Sequence, residues 1–130
     1  MRVVFDTNIY VSALVLPGSR ADAALQRVIA GSDRLLFSTA ILDELLDVLA
    51  RKFSRDAEEL ARVAVLLDGL AERVETHERV SQLADEPDNR VLECAMAGRA
   101  EAVVTGDKRM LALEHWRGIR LLSLAAYLES

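Results

Sequence analysis

The apolar positions along this chain fall into blocks that switch between the period of a strand and that of a helix. Val3-Val4-Phe5 is a continuous apolar run ended by Asp6, the pattern of a strand buried on both faces. Two short polar residues, Thr7 and Asn8, separate Asp6 from the apolar Ile9-Tyr10-Val11. Pro17-Gly18-Ser19 then punctuates the chain, and Ser19 or Asp22 caps a predicted helix running through about Ala30, with Ala24, Leu25, Val28 and Ile29 at helical spacing. Leu35-Leu36-Phe37 reads as a second strand, and Ser38 or Thr39 as the cap of a helix to roughly Phe53. Ser54 is expected to cap a further helix whose apolar positions continue from Leu60 to Val74. Arg73 to Val80 is ambiguous, with Val74-Glu75-Thr76 a candidate short strand. The acidic turn Asp85-Glu86-Pro87-Asp88-Asn89 introduces a helix capped by Asp88, running through Ala97 and closed by Gly98. Ala102-Val103-Val104-Thr105 is the next buried strand, with Gly106-Asp107 directly after it. A short helix over Lys108 to Leu113, a strand over Ile119 to Leu122 and a closing helix over Leu124 to Leu128 complete the chain.

On the helix ending near Phe53, residues Ile41, Leu42, Leu45, Leu46, Val48, Leu49 and Phe53 share one apolar arc at about 100° per residue. Asp43 and Asp47 fall on the polar side and should face water. Glu44 lies at the border beside Val48, where a carboxylate can lean into a cleft at the edge of the core.

Strands alternating with helices imply crossover connections and a parallel sheet covered on both faces, hence an α/β fold. The 130 residues suit a single domain, 1–130, with no internal repeat or linker. A composition of 52% hydrophobic and 28% charged residues excludes a disordered chain. No apolar run approaches the roughly 20 residues that span a bilayer, and the N-terminus lacks a signal-type pattern, so a cytoplasmic protein is expected. Cys94 is the only cysteine, which rules out an intrachain disulfide or a cysteine-built zinc site, and its apolar neighbours mark it as a core side chain. His77 and His115 stand alone and read as surface or packing residues. A net charge of −5 argues against a generic nucleic-acid coat, but not against a nuclease whose acids are neutralised by metal.

Asp6 and Asp107 each follow a buried strand, and neighbouring strands would project both carboxylates from one sheet edge, where open α/β sheets bind ligands. Gly106 lets the chain turn there without a crowding side chain. Asp88 at a helix start and Glu44 on a helix border are candidates to complete a four-acid cluster. Each acid alone has an ordinary reading as a cap or solvated residue; the pair of strand-end aspartates carries the argument. Clustered carboxylates repel, and a divalent cation removes the conflict. Oxygen ligands of this kind suit Mg²⁺ or Mn²⁺, whose chemistry serves phosphodiester hydrolysis.

Val4-Phe5-Asp6-Thr7-Asn8, Glu44 within Ile41-Leu42-Asp43-Glu44-Leu45, Asp88-Asn89 and Val104-Thr105-Gly106-Asp107, in this order and spacing, resemble a PIN domain, in the branch of toxin–antitoxin toxins related to VapC. The resemblance covers essentially the whole chain. It implies an α/β/α sandwich with a parallel sheet and a metal-dependent ribonuclease that hydrolyses RNA to 5′-phosphate and 3′-hydroxyl ends. It places Asp6, Glu44, Asp88 and Asp107 as ligands of one or two Mg²⁺ or Mn²⁺ ions, with Asn8 and Thr105 as supporting residues that orient Asp6. Many members carry consecutive acids where this chain has Asn89; the third acid is read as Asp88, with Asp85 as its alternative, because Asp88 is expected to begin the helix while Asp85 precedes the proline. The resemblance also implies an antitoxin partner and a homodimer. Arg20, Arg51, Lys52, Arg55, Arg90, Arg99, Lys108 and Arg109 are candidate phosphate contacts, with Lys108 and Arg109 foremost, and Tyr10 and Trp116 are the aromatics considered for base stacking. A haloacid-dehalogenase-type phosphatase would need a second acid where Asn8 stands, and a Gly-rich phosphate loop is absent. The competing class is a PIN fold that has lost activity and serves interaction only.

Overall fold

The computed structural model describes all 130 residues. Its sheet has six strands: β1 (Arg2–Phe5), β2 (Arg34–Phe37), β3 (Glu72–Arg73), β4 (Ala102–Val104), β5 (His115–Trp116) and β6 (Ile119–Leu122). The helices are α1 (Thr7–Val15), α2 (Arg20–Ile29), α3 (Thr39–Phe53), α4 (Ala57–Leu70), α5 (Glu86–Ala97), α6 (Lys108–Leu111) and α7 (Leu124–Glu129). Strand order is β3-β2-β1-β4-β6-β5. All pairings are parallel except β5–β6, so the expected parallel sheet is a parallel core with one short antiparallel edge. The chain lays β2 and β3 to one side of β1, then returns through α5, which lies over β1, β2 and β4, to place β4 on the other side. The strand order therefore reverses between β1 and β4.

The two central strands are in register, with Val3, Val4 and Phe5 opposite Ala102, Val103 and Val104. Val3, Val4, Phe5, Leu35, Leu36, Phe37, Val103 and Val104 are all essentially fully buried, each removing from water a side chain worth about 1.5–3 kcal/mol. No helix is long and apolar enough to cross a membrane.

Ser19 caps α2 and Ser38 caps α3, each accepting an amide hydrogen from three residues on. Several local expectations are corrected. Ser54 does not cap α4; it ends α3 in a left-handed conformation, and Asp56 is the α4 cap. The ambiguous stretch after α4 pairs at Glu72–Arg73 rather than at Val74–Thr76. Helix α5 starts at Glu86 with Asp85 at its cap position and Pro87 in its first turn, so Asp88 is the third helical residue rather than the cap, and the expected distinction from Asp85 by the helix start does not hold. Helix α1, directly after β1, has no single apolar stripe because Ile9, Tyr10, Val11 and Ala13 are all buried, the pattern of a helix enclosed by neighbours. Strands β5 and β6 are joined by Arg117-Gly118, both at positive φ (50° and 82°), the two-residue hairpin turn whose twist matches paired strands.

Gly98 ends α5 with an ordinary φ of −86°, and the left-handed residue is Arg99. What Gly98 supplies is room, since a Cβ there would sit 2.7 Å from Leu36 Cδ1 and 3.0 Å from Val74 Cγ2. Its carbonyl also accepts two hydrogen bonds from the Arg2 guanidinium, at 3.0 and 2.8 Å. Gly98→Ala should therefore cost about 1–3 kcal/mol by overpacking. Gly69→Ala, in α4 with nothing within 4 Å, should instead stabilise by about 0.5–1 kcal/mol. Urea unfolding of both variants measures the contrast.

Candidate active site

The site grows from the ends of β1 and β4. The ladder continues past both strands: the Asp6 amide donates to the Val104 carbonyl at 3.0 Å, and the Thr105 amide to Leu122 at 2.9 Å. Asp6 and Thr105 thus leave the sheet side by side, at the point where the strand order reverses. Asp6 is only 3% exposed. Its Oδ1 accepts the Asn8 amide at 2.9 Å, capping α1, and its Oδ2 accepts the Thr105 hydroxyl at 2.6 Å. Thr105 Oγ1 in turn accepts the Asp107 amide at 3.0 Å. Asp107 caps α6 through Oδ1 alone, which accepts the Arg109 and Met110 amides at 2.8 and 3.1 Å. Each strand-end aspartate is therefore a helix cap and a member of the constellation at once. Asn8 reaches Asp6 through its main chain; its side chain is exposed.

The third acidic segment is held by a buried polar clamp. Asn89, fully buried, accepts the Leu83 amide and donates to the Leu83 carbonyl, both at 2.8 Å. Glu93, also buried, accepts the Val80 amide at 2.8 Å and pairs with Arg90 at 2.9 Å, while Arg90 donates to the Val80 carbonyl at 3.0 Å. These bonds pin the connection from Val80 to Leu83 against α5 and set the approach to Asp85 and Asp88. Sequence patterning cannot show this clamp, because a buried Asn and Glu and a partly buried Arg on a helix read as solvated residues until their partners are known.

Burial, then the charges of Asp85, Asp107 and Asp6 in that order, push the Asp88 carboxyl up to about 7, with the nearby Arg109 pulling it down. Asp6 is also raised, by burial first, against the lowering bonds from Thr105 and Asn8, with Asp107 and Asp85 adding to the rise. The charges of Asp85 and Asp107 thus reach both Asp6 and Asp88. Asp85, ranked second on sequence, is exposed, makes no side-chain capping bond, and contributes the largest charge effect on Asp88. Glu44 is half-buried and lines an adjoining cleft of about 190 Å³ with Thr7, Ala40, Ile41, Glu86, Pro87 and Arg90. Asp43 and Asp47 face solvent.

As they stand, no three acidic, histidine or cysteine side chains close into a group that could hold a metal ion. The chemistry of the donor set nevertheless fits a hard cation. Asp88 Oδ2 is buried without a hydrogen-bond partner, and it lies where three other carboxylates raise the cost of its charge. A divalent ion would supply the missing partner and remove the repulsion.

Among the candidate cations, Arg51 pairs with Asp47, Arg55 with Glu59, and Arg90 with Glu86 and Glu93. Arg99 lies at the far end of α5 from Asp88, about 16 Å away at 1.5 Å per residue. Lys108 and Arg109 are exposed beside Asp107 and engage in none of the structure's ion pairs. Tyr10 packs on Phe5 in the core, and Trp116 is buried with the Arg117 guanidinium over its ring; neither is free to stack a base. His77 and His115 are exposed, and burial pushes the Cys94 thiol up to about 12, an inert core thiol.

Parallel strands with Asp6 and Asp107 following the two central ones, at the reversal of strand order, define an α/β protein whose candidate site lies at a topological switch point. The family model described as "PIN domain" matches residues 2–109, a span that includes Asp6, Glu44, Asp85, Asp88 and Asp107. The chain belongs to the PIN domain family. It is 24% identical over 117 residues, 87% of this chain and 75% of the relative, to the uncharacterized protein MJ1680 of Methanocaldococcus jannaschii. Its fold is similar to that of a chain of VapBC2 from Rickettsia felis, solved with a DNA fragment from the VapBC2 promoter (TM-score 0.69, 16% identity, 95% of this chain and 98% of the other). It is also similar to a chain of VapBC-1 from nontypeable Haemophilus influenzae (TM-score 0.67, 15% identity, 96% and 99%).

Two predictions follow from this geometry. Thr105→Val should leave Asp6 Oδ2 and the Asp107 amide without their shared partner and cost about 1–3 kcal/mol, with Thr105→Ser restoring most of the loss in thermal unfolding. The raised Asp88 carboxyl contributes stability that is fully present below its unfolded value of 3.8 and lost as pH rises through about 7. In chelator, Asp88→Asn should therefore melt above wild type at pH 8, and the gap should close as pH falls toward 4. A constant gap across that window would contradict the placement of Asp88.

Proposed function

We propose that this protein is a metal-dependent endoribonuclease of one domain, 1–130, that hydrolyses RNA phosphodiester bonds. Its Mg²⁺ or Mn²⁺ would be held by Asp6, Glu44, Asp88 and Asp107, with Asp85 close enough to share the charge. The observation that carries this reading is the buried, unpartnered Asp88 oxygen, on which the charges of Asp85, Asp107 and Asp6 all bear unfavourably. A divalent ion held by these carboxylates would supply charge neutralisation at the phosphoryl group and a lowered pKa for water.

The chain's own residues do the positioning. Thr105 fixes Asp6 Oδ2 by donating to it and fixes the Asp107 main chain by accepting from it. That rigidity holds the two strand-end carboxylates at one separation as the phosphate enters. Asn8 supports Asp6 through its amide. Lys108 and Arg109, at the start of α6, contact flanking phosphates, which set the position of the strand without reading its sequence.

The protein acts in the cytoplasm as the toxin of a toxin–antitoxin pair, neutralised by an antitoxin and working as a homodimer. Similarity to the VapBC chains supports this setting. Apolar side chains left in water support a partner surface: Val65 is 72% exposed, Leu16 57% and Leu66 47%.

Asp6→Asn should fold normally, lose Mn²⁺ binding by calorimetry and lose cleavage of structured RNAs, while wild type cuts them with Mn²⁺ and stops in chelator. Saturating Mn²⁺ should also raise the wild-type melting temperature at pH 8, where binding to the folded state alone stabilises it. Metal-independent cutting would overturn the mechanism. No cutting and no metal binding would leave the interaction-only reading in place.

A further inference from the structure

The edge of the sheet that carries the acids continues past them. From Asp107 and Asp6, at the ends of β4 and β1, it runs to Thr39 after β2 and to Arg73 at the end of β3. Two clefts lie along this edge and share Ala40, one on each side of the first turn of α3. The first holds Glu44 and Thr7. The second, about 450 Å³, is lined by Thr39, Ala40, Arg73, Val74, Glu75, Thr76 and His77, a volume in the range of small-ligand sites.

Arg73 is prepared for a nucleotide. Its guanidinium lies over the Phe37 ring, 5.2 Å from the centroid, and is fixed by bonds to Thr39 Oγ1 at 3.3 Å and Asp68 Oδ1 at 3.0 Å. Its side chain remains 42% exposed on the cleft wall. The pair with Asp68 is solvent-exposed and therefore weak, so it orients the guanidinium without cancelling its use. Single-stranded bases stack on guanidinium planes, and phosphates pair with them. His77, exposed on the same wall, adds a donor; Glu75 is the single acid there. The comparable cavity near the other ends of the strands lacks this character: none of its arginines lies on an aromatic ring, and it is lined by three acids, Asp33, Glu72 and Glu101.

We propose that the Arg73–His77 cleft is a second RNA subsite, holding the single strand upstream or downstream of the cut while the acids hold the scissile phosphate. The inference rests on the ribonuclease reading and deepens it. Strand β3 lies two strands from β1, about 10 Å at the sheet's inter-strand spacing, which is about three nucleotides of a stacked strand at 3.4 Å each. The enzyme therefore requires a single-stranded segment reaching beyond the cut, laid across the ends of β4, β1, β2 and β3.

The test measures affinity of the full chain for a labelled mixed-sequence single-stranded RNA, with Ca²⁺ replacing Mg²⁺ so that the RNA stays uncut, across a salt series. A dinucleotide too short to span both clefts is measured beside it. Arg73→Gln should weaken the long RNA about tenfold, leave the dinucleotide unchanged, and reduce the slope of log K against log salt by about 0.7, one phosphate contact. Arg73→Lys should keep the slope, and His77→Glu, at an exposed position, should weaken the long RNA with unchanged melting temperature. If wild type cuts RNA with Mg²⁺ but Arg73→Gln and His77→Glu bind the long RNA as wild type does, the subsite is wrong and the nuclease stands. The subsite also fails if Arg73→Gln weakens both RNAs equally. Wild type that neither binds nor cuts RNA overturns the nuclease reading and the subsite together.

Discussion

One hydroxyl group joins the two halves of the site. Thr105 donates to the Asp6 carboxylate and accepts from the Asp107 amide, so the ends of two strands nearly a hundred residues apart in sequence are tied at a single oxygen. This works only because β1 and β4 pair in parallel and in register, Phe5 opposite Val104. A slip of one residue would turn Thr105 to the other face of the sheet and break the tie. The buried apolar strands that enforce the register are therefore as much a condition of the site as the acids.

The same register has an electrostatic cost. Asp6 is buried, and a charge in that position is tolerable only with hydrogen bonds or a counter-ion. Thr105 and the Asn8 amide supply part of the compensation, yet the carboxyl stays raised. Asp88 has no such bonds at Oδ2 and is raised further. A region that stores repulsion in this way is stabilised less than its surroundings, which is the usual condition of a site prepared for a ligand. The clamp of Asn89, Arg90 and Glu93 pins the segment ahead of the acids, with Asn89 and Glu93 buried and the bonds of Glu93 and Arg90 charge-assisted.

Cations are distributed differently. Arg51, Arg55 and Arg62 form ion pairs with acids one helical turn away, on solvent-facing surfaces. Lys108 and Arg109 sit beside the acids, and Arg73 lies two strands along the same sheet edge, held on an aromatic ring. Although the chain carries a net charge of −5, Lys108, Arg109 and Arg73, the last also paired with Asp68, stand along the sheet edge that carries Asp6 and Asp107.

Much of this was legible in the residues taken in order. The apolar runs marked β1, β2, β4 and β6, the serine caps marked α2 and α3, and the helical arc separated Glu44 from Asp43 and Asp47, because burial on a regular element leaves a periodic trace. Helix α1 left none, being enclosed on several sides, and the strands of two residues, β3 and β5, are too short for any period. The start of α5 lies three residues before the position its residues suggest, since Asp85 and Asp88 are equally good caps beside a proline and only the packed chain decides between them. The residues in order were enough for the longer strands and helices and for the aspartates that follow β1 and β4. Strand order, register and the pinning of the loop before α5 decided that Asp6 and Thr105 stand side by side with Asp85 and Asp88 nearby, because those depend on contacts between distant residues that no local pattern records.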